Sequence, residues 1–276
     1  MTAVLDCNIS FIGGGNMAQA LIGGLIARGL PATRITVSDP VEQVRQLLQE
    51  KDVQVTEDNM AAIQTADVVV FAVKPQVLAQ VLKPLKGLFA GKLVISIVAG
   101  AEISTISELL GTDQVVRVMP NTPALVQTGA HGLYATEAVS EKDRNLASQV
   151  LAATGLTIWV NTEAQIDAVT AVSGSGPAYF FYLMESMIRA GKNLGLDEKV
   201  ATDLTLQTAL GAAQMAITSA NTPAELRKNV TSPNGTTQAA IEVFDHGQVS
   251  QTIQAALAAA QKRSQVLAQD LSDSVK

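Results

Sequence analysis

Cysteine is almost absent: Cys7 is the only one among 276 residues, which excludes an internal disulfide and a paired-cysteine zinc or redox motif. Histidine is nearly as scarce, at two (His131 and His246), so a multi-histidine metal centre is not expected. Aromatic residues make up only 4% and charged residues 16%. Nor is there a surplus of positive charge. The 19 Lys and Arg face 25 Asp and Glu, for a net charge of −6 and an isoelectric point near 5.0. A chain with neither cationic excess nor many rings for base stacking carries no footprint for nucleic acid. Long apolar runs are missing too. The run 66–73 is interrupted at Asp67 and stopped by Lys74-Pro75, and none approaches the roughly 20 residues of a membrane helix. The first ten residues lack a basic region followed by an apolar stretch, so no secretory signal and a cytoplasmic location are expected.

What is abundant is small and aliphatic. Hydrophobic residues reach 47%, much of it alanine, which favours close-packed helices over an aromatic core. The length suits one large or two modest domains and needs no disulfide or metal staple. Nearly continuous apolar, β-branched runs at 8–12, 34–38, 68–73, 93–98 and 115–118 read as strands buried on both faces of a parallel sheet. Helical stretches at 18–28, 41–50 and 75–82 lie between them, and runs at 132–135 and 156–160 extend the sheet at one edge. This alternation predicts an α/β, doubly wound sheet. After about Asn161 no strand is expected. Apolar residues recur at helical spacing (Leu183, Met184, Met187, Ile188; Leu206, Leu210, Ala213, Ile217), predicting an all-helical second domain over 162–276 after a first domain over 1–161. Those helices are too apolar for a free-standing surface, so burial between subunits is expected.

The strongest local motif is Phe11-Ile12-Gly13-Gly14-Gly15-Asn16-Met17-Ala18, which fits G-x-G-x-x-A between an expected strand and an expected helix. Gly13 permits the tight turn, Gly15 lets a pyrophosphate approach the backbone, and Ala18 allows close helix–strand packing. The phosphates would rest on amides of the helix starting near Asn16. A glycine turn without ligand is the plainer alternative. Asp39 closes the second strand, where an acid binds an adenosine ribose hydroxyl. It is equally a turn-initiating Asp-Pro, with Ser38 adjacent and Arg34 and Arg45 close in sequence. Both readings stay open, and with them the choice of dinucleotide. Three more strands end in Lys74-Pro75, Ala99-Gly100 and Met119-Pro120-Asn121-Thr122-Pro123, together suggesting a cofactor trough beyond the strand ends.

In the helical half, Ser173-Gly174-Ser175-Gly176-Pro177-Ala178-Tyr179 leads into a helix, either as an anion-holding turn or as a plain elbow. Val230-Thr231-Ser232-Pro233-Asn234-Gly235-Thr236-Thr237 precedes a helix expected over 238–244. Free amides at Gly235, Thr236 and Thr237, with two hydroxyls, would cradle a carboxylate; a capped turn between helices is the alternative. His131 and His246 read as isolated histidines in loop-like settings, at the surface or satisfied. Tyr134 and Trp159 read as edge-strand packing.

Over nearly its whole length the chain resembles the pyrroline-5-carboxylate reductase family. The resemblance rests on residues 11–18, Ala72-Val73-Lys74-Pro75, Met119-Pro120-Asn121-Thr122-Pro123, Asp167-Ala168-Val169-Thr170 with 173–179, and 226–237. It implies a Rossmann-type domain followed by a helical dimerisation domain, an active site shared between subunits, and often a ring of five dimers. It implies NADPH, with NADH as the alternative, reducing the cyclic imine of pyrroline-5-carboxylate to proline in proline biosynthesis. By position, the resemblance assigns Ile12, Gly13, Gly14, Gly15, Asn16 and Met17 to the pyrophosphate. Asn59, Ala72, Val73 and Lys74 fall on the adenosine and ribose side; Ser38, Asp39 and Pro75, at the ends of the second strand and of this run, are further cofactor-binding candidates, although the family varies at the second strand. Ala99, Gly100, Met119 and Asn121 fall around the nicotinamide. Asn229, Gly235, Thr236 and Thr237 would hold the substrate, with Thr237 as the catalytic residue at the ring nitrogen. Where many members have Gly-Gly, this chain has Asn234-Gly235.

Two rivals differ in what they require. A β-hydroxyacid dehydrogenase of similar architecture needs a lysine near Phe180, and Tyr179-Phe180-Phe181-Tyr182 offers none. A non-catalytic dinucleotide-binding scaffold would have no reason to keep residues 232–237 intact.

Overall fold

The computed structural model describes residues 5–275. Eight strands form one sheet: β1 (Ile9–Ile12), β2 (Ile35–Ser38), β3 (Gln54–Thr56), β4 (Val68–Phe71), β5 (Leu93–Ser96), β6 (Val115–Met119), β7 (Gly129–Ala135) and β8 (Gly155–Trp159). Their spatial order is β3-β2-β1-β4-β5-β6-β7-β8, and every pair is parallel except β6 with β7. The order reverses between β1 and β4, and in open α/β sheets the crevice at such a reversal is where ligands bind.

Alternate residues of the central strands feed two separate cores. Phe11, Val68 and Val70 pack on one face with Leu21, Leu25, Val150 and Leu151. Ile12, Val69 and Phe71 pack on the other with Leu78, Ile106 and Leu110. Burial on both sides explains why these strands read as unbroken apolar runs.

The helices of this unit are α1 (Asn16–Ala27), α2 (Glu42–Gln49), α3 (Asn59–Gln64), α4 (Leu78–Leu82), α5 (Ile103–Leu110), α6 (Glu141–Ala152) and α7 (Gln165–Val169). A π-helical turn, Thr170–Gly174, continues α7. The expected helix over 75–82 is divided, with a 3-10 turn at Pro75–Val77 ahead of α4. The strands expected to run to 73 and 98 stop at Phe71 and Ser96, leaving the residues beyond as loops at the carboxyl edge. β3 was not expected: it has three residues, none fully buried, and so produces no apolar run. β7 starts at Gly129, three residues ahead of the expected run, which puts His131 in a strand and not in a loop.

The remaining helices are α8 (Gly176–Asn193), α9 (Glu198–Thr218), α10 (Pro223–Asn229), α11 (Thr236–His246) and α12 (Val249–Val275). The expected helix over 238–244 is longer by two residues at each end, and His246 closes it, so His246 too lies in a helix and not in a loop. The described residues fall into two compact units: those up to Ser175 together with those from Ala260 onward, and Gly176–Ala259. In the second unit α8 and α9 pair where Gly191 faces Ala201, the glycine leaving room for the methyl group. Its outer faces stay apolar: Phe180, Phe181 (63% exposed), Leu206, Leu210, Ile217 and Val243 are all open to solvent in the single chain. Among the described residues, no helix is long and apolar enough to cross a membrane.

Candidate active site

The carboxyl edge of β1 and β4 carries a cavity of about 620 Å³. Of the residues singled out from the sequence, Ile12, Gly13, Gly15, Ser38, Asp39, Asn59, Ala72, Val73 and Lys74 line it. The glycine turn is sterically dictated. Gly13 has φ +99°, and a Cβ there would lie 2.7 Å from the Ala72 carbonyl oxygen. A Cβ on Gly14 would meet the Val44 side chain at 2.7 Å, because this residue is turned towards α2. Above Gly15, by contrast, nothing lies within 4 Å. Gly15 is also the N-cap of α1 and offers no capping side chain. The first-turn amides of Asn16 and Met17 therefore have no intrahelical acceptor and face the open side of the turn, a ready anion site. Ala18 is fully buried, as close helix–sheet packing requires. An open glycine backed by uncapped amides and a cavity of this size fits a dinucleotide.

Asp39 serves the turn and also lies at the cavity wall. The residue is only 8% exposed: its Oδ2 accepts from the Gly14 amide at 2.8 Å and its Oδ1 from the Val41 amide at 2.8 Å. The carboxylate thus fastens the glycine turn to the start of α2 while lining the cavity. Arg45 donates to the Asp39 carbonyl at 2.7 Å, and the Ser38 hydroxyl donates to Asn59 Oδ1 at 2.7 Å. Two further acids at the cavity wall, Glu57 and Asp58, were not singled out. Asp58 caps α3 by accepting from Met60 and Ala61, an Asp-before-helix pattern that was legible in the sequence.

Met119 is the last residue of β6, and Ala99, Gly100 and Asn121 lie past the ends of β5 and β6; all four are outside that cavity, and Pro75 opens the 3-10 turn beside it. The Asn121 side chain is engaged at both ends, accepting from the Ala130 amide at 2.8 Å and donating to the Ser173 carbonyl at 3.1 Å. It ties β7 and the π-helical turn to the end of β6. Gly174 of that turn sits directly on Met119.

Sequence reasoning missed the pair Arg117–Glu163. Arg117 is a buried cation inside β6, and its Nη1 meets Glu163 Oε1 at 2.9 Å. The same carboxylate oxygen accepts from the Ile103 amide at 2.8 Å and so caps α5. A charged residue in the middle of the run Val115-Val116-Arg117-Val118 was the available signal, since a buried arginine demands an anionic partner. His131 is a correction of a different kind. It is buried, its Nε2 lies 3.0 Å from the Thr154 hydroxyl, its Nδ1 has no partner, and burial pushes its pKa down to about 4.

In the second unit Asn229 ends α10, and Gly235 is the N-cap of α11, whose first residues are Thr236 and Thr237. Of the three amides expected to be free, that of Gly235 is used within the turn, donating to the Ser232 carbonyl at 3.0 Å. Asn234, in the left-handed region at φ +58°, donates its amide to Gln238 Oε1 at 2.7 Å. The open donors are thus the first-turn amides of Thr236 and Thr237, with the half-buried Thr237 side chain beside them.

Comparison with known proteins finds relatives along nearly the whole chain. A family model described as pyrroline-5-carboxylate reductase dimerisation matches residues 163–267, and one described as NADP oxidoreductase, coenzyme F420-dependent, matches residues 8–100. The chain is 52% identical over 266 residues to a pyrroline-5-carboxylate reductase of Pseudomonas aeruginosa, covering 95% of this chain and 97% of that one. It is 38% identical over 261 residues to that of Pisum sativum, covering 94% and 95%. Among solved structures, a pyrroline-5-carboxylate reductase from Coxiella burnetii superposes with a TM-score of 0.91 at 44% identity, covering 95% of this chain and 98% of that one. The Plasmodium falciparum pyrroline carboxylate reductase with NADP bound superposes with a TM-score of 0.86 at 28% identity, covering 96% and 100%. With identity of this order along nearly the whole length, the chain belongs to the pyrroline-5-carboxylate reductase family.

Proposed function

We infer that the protein is an NAD(P)H-dependent reductase that converts the cyclic imine of pyrroline-5-carboxylate to proline, the last step of proline biosynthesis. The observation that carries this is the 52% identity to a reductase of that name over 95% of the chain. The chemistry needs little apparatus. A cyclic imine takes up a proton near neutrality, and its iminium is already a strong electrophile, so the protein's task is placement at near-attack distance.

When bound, the reduced dinucleotide supplies the hydride. The chain's own residues do the rest. The turn of Gly13, Gly14 and Gly15 with the first amides of α1 would hold the pyrophosphate. Ser38, Asp39, Asn59 and residues 72–75 would hold the adenosine half, and Ala99, Gly100, Met119 and Asn121 would border the nicotinamide. Asn229 and the amides of Thr236 and Thr237 would anchor the substrate carboxylate. The Thr237 hydroxyl would hydrogen-bond the ring nitrogen and help deliver its proton, directly or through water. The first turn of α8 contains no ammonium group, which a β-hydroxyacid dehydrogenase of similar architecture would require and an imine reductase does not.

The same reading assigns residues 1–161 to the dinucleotide and 162–276 to dimerisation and substrate, with each active site completed by a partner chain. The open apolar faces of α8, α9 and α11, and Gly211 of α9 with nothing within 4 Å, support such pairing. A pentamer of dimers and a cytoplasmic location complete the proposal. The test of the site is Thr237→Ala. The kcat/KM for the imine is expected to fall by about a hundredfold, the usual contribution of a positioned proton donor, with the dinucleotide Kd retained. Unchanged kinetics would remove Thr237 from the mechanism.

A further inference from the structure

One end of α12 is held where a merely covering helix would not need to be. Ser264, Ala268, Leu271 and Val275 form its single buried stripe, at the i, i+4, i+7, i+11 spacing of one helix face. Leu271 and Val275 join the core that contains Val98, Ala101 and Ile103. Further up the stripe, the backbone of Leu267 and Ala268 lies against Gly100: a Cβ on that glycine would be 3.4 Å from the Leu267 carbonyl oxygen and 3.5 Å from the Ala268 nitrogen. Gly100 itself is left-handed, at φ +77°. At the head of the stripe the Ser264 hydroxyl donates to Asp167 Oδ1 at 2.7 Å, and both residues are 8% exposed.

Burying a carboxylate–hydroxyl pair adds little net stability compared with apolar packing. What it does add is register, because only one axial position of α12 satisfies the carboxylate. The segment that carries Asp167 also carries Glu163, which caps α5 through the Ile103 amide. The loop between β5 and α5 is therefore gripped twice by one short segment: at its far end through Glu163, and from behind through Asp167 and α12.

We propose that residues 264–275 of α12, locked by the Asp167–Ser264 hydrogen bond, are a positioning element that sets the Ala99–Gly100 loop and, through it, the nicotinamide end of the dinucleotide. This rests on the reading above that Ala99 and Gly100 border the nicotinamide. Ser264 and Asp167 touch neither substrate nor cofactor; they act through the loop.

The test compares wild type with Ser264→Ala and with Ala99→Val, whose larger side chain would intrude from an exposed position on the loop. In Ser264→Ala without dinucleotide, hydrogen exchange of a peptide over 97–103 is expected to rise about tenfold, with peptides over β1 and β4 unchanged. Its kcat with NADPH is expected to fall on the order of tenfold at unaltered NADPH Kd, since misplacing a reactant costs rate and not affinity. Unchanged exchange and kcat in Ser264→Ala, alongside an impaired Ala99→Val, would overturn the positioning role alone. An unimpaired Ala99→Val would overturn the nicotinamide placement and the inference with it. Should Ser264→Ala not fold, Ser264→Ala combined with Asp167→Asn removes the buried charge left unpaired and carries the same two readouts.

Discussion

At the scale of single residues, the decisive groups are those that hold two partners at once. Asp39 has both carboxylate oxygens on backbone amides, Asn121 has both ends of its amide engaged, and Glu163 serves an arginine and a helix end at once. His131 contrasts with them, with Nδ1 unpartnered and the ring held neutral by burial, its pKa lowered from 6.5 to about 4. The sign of the consequence follows from linkage. The unfolded chain binds this proton more readily than the folded one between those two values, so stability falls as pH drops from about 6.5 towards 4. By pH 5 the loss relative to pH 7 is expected to be about 2 kcal/mol from this residue. Urea unfolding at pH 7 and pH 5 measures it, and His131→Asn should flatten the difference. An equally steep loss in that variant would assign the pH dependence to other groups.

At the scale of elements, the turn from β1 into α1 is the most constrained feature of the sheet. Gly13 combines a left-handed backbone with a neighbour that leaves no room for a methyl group. Gly13→Ala is expected to lower unfolding stability by about 1–3 kcal/mol and to weaken NADPH binding, read by denaturant titration and by quenching of dinucleotide fluorescence. Tight binding with wild-type stability would mean that the turn relaxes without disturbing the phosphate site. The start and type of α1, β1, β2 and β4 were legible because unbroken apolar runs alternate with helical spacing. β3 was not, since pairing of Gln54–Thr56 with β2 depends on a neighbouring strand already being in place and not on its own composition. The Gly235 amide was misjudged for a similar reason: whether a donor is free depends on how the turn closes, here onto the Ser232 carbonyl.

At the scale of the whole molecule, the second unit exposes more apolar surface than a monomeric helical bundle tolerates. Phe180, Phe181 and Tyr182 lie on consecutive, largely open positions of α8. Phe181→Asp is expected to shift the protein from an oligomer to a monomer in sedimentation velocity, with loss of imine reduction if the active site is shared between chains. A variant of unchanged mass would show that this part of α8 lies outside the contact. The mass of the wild-type particle in the same experiment decides between a simple dimer and five dimers.

The sequence by itself determined the class of fold, the position of the glycine turn, and the apolar character of the helical half. Each of these is written in local periodicity, or in residue types that only one backbone geometry tolerates. Tertiary structure alone decided that His131 is buried in a strand, that Arg117 is neutralised by Glu163, and that Asp167 reaches Ser264 across 97 positions of chain. Those are pairings between distant segments, and a polar atom's partner is chosen by whatever the folded chain brings within hydrogen-bond distance.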